Sequence, residues 1–135
     1  MYALFPMSAP LQQVHAKFKL FSGALESDGS LGALGREMEA FVKANPCAPK
    51  SIGVEFLERS KKVIVSLGYA EGEANYGVRF RSVKVGTASN LDAPSLVALE
   101  KAMGTEATKL ENVICHELLV DDHDNVVMVF MTLAR

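Results

Sequence analysis

Residues 31–38, LGALGREM, return 65 positions later as residues 96–103, LVALEKAM, so leucine, alanine, leucine and methionine recur at the same offsets. The surroundings agree. An alternating run from Ala16 to Leu20 precedes the first copy, as Val78 to Ser82 precedes the second, and two runs rich in β-branched residues follow each. Each half therefore reads strand, helix, strand, strand, with pseudo-repeats over about residues 12–69 and 76–134. Ile52, Glu55 and Leu57 in the first unit match Ile114, Glu117 and Leu119 in the second. The predicted fold class is α+β, with duplicated strand-helix-strand-strand units forming one antiparallel sheet and helices on one face.

Val14 to Leu20 alternates strictly, with Val14, Ala16, Phe18 and Leu20 on one side and His15, Lys17 and Lys19 on the other. Leu11, Val14, Phe18, Phe21 and Leu25 also fit a helical period, but the strict alternation favours a strand. Leu31, Leu34, Met38, Phe41 and Val42 make one helical stripe, ended by Asn45 and Pro46, while Gly32 and Gly35 permit close packing on the sheet. Ile52 to Glu58 and Lys62 to Tyr69 read as a hairpin around the polar turn Arg59 to Lys61. From Tyr76 to Val85 the apolar parity switches between Phe80 and Val83, which predicts a bulge near Ser82. Asp92 can cap a second helix, with Pro94 in its first turn and Gly104 at its end. Val113 to Val120 and Val126 to Leu133 bracket a polar tip, residues 121–125. This is a second hairpin.

At 135 residues the chain is long enough to bury a core without staples and reads as a single domain, residues 1–135. A net charge of −2 supplies no field for nucleic acid or an anionic membrane. Two cysteines, Cys47 in an expected loop and Cys115 in a strand, form no disulfide framework and point to a reducing cytoplasm. The N-terminal stretch has no basic n-region and is broken by Pro6 and Pro10, unlike a secretory signal, and no apolar run approaches membrane-helix length.

No complete catalytic, nucleotide-binding or metal-binding motif is present, and no cofactor is implied. If Ala16, Phe18, Val54, Phe56, Val78 and Phe80 pack beneath the helices, then Lys17, Lys19, Glu55, Arg79, Arg81 and Glu117 share the opposite face. Those six residues are the expected ligand-binding set, fit for a small polar ligand. Cys115, His116 and Glu117 group reactive side chains, but neighbours on a strand point to opposite faces, so His116 cannot easily serve Cys115. Cys115 or Glu117 with His15 is the weak catalytic alternative. The run Asp121, Asp122, His123, Asp124 lacks calcium-loop glycine and glutamate and zinc-site spacing, so it reads as a soluble hairpin tip and not a metal site. Residues 126–133 are apolar on both sides, which requires a cover and predicts a homodimer, or else a sandwiched central strand.

The order of elements resembles the small effector-binding domains of multidrug-responsive regulators. In that family a buried glutamate on the sheet contacts cationic ligands, and the resemblance implies Glu55 or Glu117 for that role. A second resemblance, to the vicinal-oxygen-chelate enzymes, implies metal ligands drawn from sheet strands, but the required histidine and glutamate pairs are incomplete. The resulting expectation is a non-catalytic binding module for a small molecule or a protein partner. A small cysteine- or glutamate-dependent enzyme and a structural subunit of a homo-oligomer are the alternatives.

Overall fold

The computed structural model describes residues 16–72 and 76–134. Its elements are β1 (Ala16–Gly23), α1 (Ala33–Ala44), β2 (Cys47–Leu57), β3 (Lys62–Glu71), β4 (Val78–Thr87), α2 (Ala93–Thr108), β5 (Val113–Val120) and β6 (Asn125–Leu133). The chain is an α+β fold of two strand-helix-strand-strand units, as the repeat predicts. Each unit forms an antiparallel three-stranded sheet of the same topology, β1-β3-β2 and β4-β6-β5. The expected single sheet is thus two sheets, with β2 packed beside β5 and no ladder joining them among the described residues.

The ends of the two hairpins meet, because Lys61 in the β2–β3 turn pairs with Asp122 in the β5–β6 turn at 2.8 Å. Both β2 and β5 run toward those turns, so they lie parallel. That direction decides where the helices go. The crossovers β1-α1-β2 and β4-α2-β5 step toward the centre from opposite sides while their strands point the same way. The usual right-handed crossover then accounts for helices on opposite faces, α1 on the Phe80 side and α2 on the side of Val83 and Phe130. The expectation of helices on one face is corrected accordingly.

Helix α1 packs against β1 and β4 and drives its stripe into the core, where Leu31, Leu34, Met38 and Val42 are all buried. They join Phe21, Ile52, Val63, Val65 and Leu67 of the first unit and Val78, Phe80, Leu119, Val127, Val129 and Met131 of the second. One core therefore serves both units. Glu39 fastens the helix to β4, where the Phe80 N–H donates to its carboxylate at 2.9 Å. Gly35 leaves room for Leu31 one turn earlier, since a Cβ there would stand 3.1 Å from the Leu31 Cβ. At its C-terminus the Asn45 side-chain amide donates to the Phe41 carbonyl at 2.7 Å, and Pro46 follows.

Helix α2 is different. Asp92 caps it, accepting from the Ser95 N–H at 2.9 Å, and the helix runs through Gly104 to Thr108. No residue of α2 is fully buried, and Leu96, the counterpart of Leu31, is 44% exposed. It packs on β4 over the face opposite α1, with Leu99 seated against Gly86. Near its C-terminus, Glu106 borders a small cavity with Val83 and Phe130. This accounts for the parity switch in β4. Val78 and Phe80 enter the core while Val83 faces the α2 side, and the bulge lies between Lys84 and Gly86 instead of near Ser82. Strand β6 is likewise buried on both faces, Val127, Val129 and Met131 in the core and Val126, Met128 and Phe130 on the α2 side. It is the sandwiched central strand, so its apolarity does not by itself require a second subunit.

Strand β1 also departs from expectation. Phe21 is buried edge-to-face against Phe41 of α1, ring centroids 5.7 Å apart, and Lys19 lies over the same ring at 5.8 Å. Odd-numbered residues therefore face the helix. Phe18 and Leu20 point to the other side, 68% and 61% exposed. Cys47, expected in a loop, opens β2 and is fully buried.

Candidate functional site

Cross-strand register separates the six charged residues expected to converge. Lys17 and Lys19 stand on the α1 side of β1, and Lys17 pairs with Glu71 at 3.2 Å. Glu55 lies opposite Ile64 on the other face of that sheet, the face that carries Leu20. Arg79 and Arg81 oppose Thr132 and Phe130 on the α2 side of the second sheet, beside Lys109. Glu117 opposes Val129 and shares the core-facing side with Cys115 and Leu119. No single charged face forms.

The weak catalytic set is no closer to assembly. Cys115 and Glu117 are neighbours on one face, but burial pushes the Cys115 thiol above its ordinary range and the Glu117 carboxylate pushes it further, outweighing a hydrogen bond at the Ile52 backbone. Burial raises the Cys47 thiol too. Both are free thiols. A nucleophilic cysteine needs the opposite shift. His15 lies outside the described residues. His116 is exposed, its ring 6.4 Å from that of Phe130.

Two other features stand out. The first is a cleft of about 750 Å³ where the hairpin turns meet the loop that follows β1. Leu25, Phe56 and Val127 form an apolar wall, and Glu26, Lys61, Lys84, Asp122 and His123 line the rest. Three sets of bonds hold its walls. The Ser82 hydroxyl donates to the Gly29 carbonyl at 2.7 Å, which ties the loop to β4. The Lys61–Asp122 pair ties the two turns together. Within the second turn, the Asp121 carboxylate accepts from the backbone N–H groups of His123 at 2.9 Å and Asn125 at 2.8 Å, and from the Asn125 side chain at 2.9 Å. Burial works to raise the Asp121 pKa, but these donors outweigh it and the net shift is downward. The acidic run is thus a self-capped turn, and no group of three metal-ligating side chains occurs among the described residues.

The second feature is the open face of the first sheet. Its floor is made of small cross-strand pairs, Ser51 with Gly68 and Gly53 with Ser66. A Cβ on Gly53 would come within 2.8 Å of the Ser66 hydroxyl, and one on Gly68 within 2.6 Å of the Ser51 hydroxyl. Phe18 and Leu20 rise along one side, and a hollow of about 300 Å³ lies between Leu20, Gly53, Glu55, Ile64 and Ser66. On the second sheet the same face carries α2. Here no described element covers it. Sequence reasoning missed both features, the cleft because its residues come from four separate segments and the face because the parity of β1 was inverted.

No family model matches the chain, and no curated protein or solved structure is significantly similar to it. No described helix is long and apolar enough to cross a membrane.

Proposed function

We propose that the chain is a non-catalytic binding module that works as a homodimer through the open face of its first sheet. The observation that carries the reading is the exposure of Phe18 and Leu20, 68% and 61%, over a floor of glycine and serine. The face is self-complementary. A two-fold axis through it would set the Phe18–Leu20 ridge of each copy above the hollow of the other, with the sheets face to face. Strands β1, β3 and β2 are about 4.8 Å apart and roughly 30 Å long, and with β5 packed beside β2 the face spans on the order of 600 Å² before side-chain corrugation. That is the scale of the ~800 Å² per partner in a standard interface. Leu118 and Val120 of β5, each 45% exposed, extend the apolar surface.

Raised thiol pKa values favour binding over cysteine catalysis. Free thiols at Cys47 and Cys115 fit a reducing compartment such as the cytoplasm. Of the charged residues considered for a ligand, Glu55 borders the proposed contact and fixes its register. Sedimentation velocity tests the reading. The wild type should be dimeric at micromolar concentration with a concentration-dependent unfolding transition, and Leu20→Glu should yield a folded monomer whose cooperative unfolding does not depend on concentration. A wild type that stays monomeric at 100-fold higher concentration, or a Leu20→Glu dimer, would refute it.

A further inference from the structure

The cleft between the hairpin turns contains two opposite charges that do not meet. Lys84 and Glu26 both line it, and neither forms a hydrogen bond or ion pair through its side chain with any described residue. The positions of both are built in. Lys84 lies opposite Val127 just before the bulge of β4, a register that directs it to the core side at the mouth of the cleft. Glu26 stands at the start of α1, where its carboxylate occupies the space beside Gly32. Any side chain at that position, which has φ +56°, would collide with it. The remaining cation, Lys61, is engaged by Asp122, and the Asp121 carboxylate is taken up by its own turn.

Two unpaired opposite charges separated by more than ion-pair distance suit a ligand that carries both signs. An apolar wall between them suits a hydrophobic substituent. We infer that the cleft binds a small zwitterion with an apolar side chain, of the kind an apolar α-amino acid presents, its carboxylate on Lys84, its ammonium on Glu26 and its side chain on Leu25, Phe56 and Val127. The cleft volume of about 750 Å³ falls in the range of small-molecule sites. Its pinned loop and clipped turns hold it preformed, which lowers the ordering cost of binding.

Phenylalanine, phenylacetate and phenethylamine test this on the intact chain, because the last two each lack one charge of the first. Phenylalanine should bind, by calorimetry and by amide shifts at Leu25, Phe56 and Val127, at least roughly tenfold more tightly than either analogue, as expected for one charge-assisted hydrogen bond. Lys84→Met should remove the preference over phenethylamine, Lys84→Arg should restore it, and Glu26→Gln should remove the preference over phenylacetate. Both positions are on the surface, so the variants fold. Equal binding of phenylalanine and phenylacetate to the wild type would overturn the inference, as would no binding of any of the three or shifts that map elsewhere. The self-association of the open face is read by sedimentation without ligand, so the two proposals fail separately.

Discussion

The Lys61 ammonium meets the Asp122 carboxylate at 2.8 Å and joins two hairpin turns that belong to different repeats. The turns meet because β2 and β5, packed side by side, run the same way, and that parallel arrangement goes with α1 and α2 on opposite faces and one face of the first sheet uncovered. Asp122 is held below the usual carboxylate range chiefly by its hydrogen bond from Lys61, and Lys61 is raised chiefly by the same bond. The Lys61 side chain is 60% exposed, so the pair organises the turns more than it stabilises the fold.

Replacing Lys61 by methionine should therefore leave the global unfolding transition nearly unchanged. Amide exchange should accelerate at both turns, around residues 58–61 and 121–124. High salt should produce part of the same effect in the wild type, because an exposed pair is screened. A large loss of global stability would show that the contact carries more than the position of the turns.

The two repeat helices should respond differently to the same substitution. Met38 of α1 is fully buried between the sheets, whereas Leu96 of α2, the counterpart of Leu31, is 44% exposed. Met38→Ala should cost about 2–5 kcal/mol by denaturant unfolding, the range for a large buried aliphatic side chain, and Leu96→Ala about 0.5 kcal/mol or less. Equal costs would contradict the packing described for α2.

Much of the secondary structure was legible because it is written locally. The Asp92 cap, the Asn45–Pro46 stop and the polar turn at 121–125 each act within a few residues, and the elements begin and end near them. The buried face of β1 was not legible, since Phe18, Leu20 and Phe21 put large apolar side chains on both parities. Phe41, distant in sequence, decides which side enters the core. Helix placement was hidden for a similar reason, as it depends on the relative direction of β2 and β5, which pack together from distant parts of the chain. The cleft left no local trace. Lys84 reads as one more strand lysine until the loop at Gly29 is packed against it.

Asp121 gives a pH-dependent prediction with a definite sign. Its folded pKa is depressed, net of burial, by the donors of Asn125 and His123. A depressed carboxylate contributes stability that is complete at neutral pH and is lost as the pH falls below about 4 toward the folded value. Asp121→Asn should reduce stability at pH 7 by about 1–2 kcal/mol, because neutral amide acceptance replaces a charge-assisted network. The gap between wild type and variant should shrink below pH 4, as read from urea midpoints at the two pH values. A gap that widens on acidification would reverse the assignment.

The thiols provide the last test. Burial and the nearby Glu117 carboxylate both hold Cys115 in its protonated form, and only the thiolate attacks an alkylating reagent. Iodoacetamide should therefore modify Cys115 more slowly than a free cysteine at pH 8, and fully buried Cys47 should react only on unfolding. Glu117→Gln should speed the Cys115 reaction by removing the charge that opposes ionisation. The fold should be unaffected, because Glu117 forms no ion pair among the described residues. Reaction of wild-type Cys115 faster than free cysteine, slowed by the same substitution, would instead identify Glu117 as the base of an activated thiol and return the enzyme reading to the front.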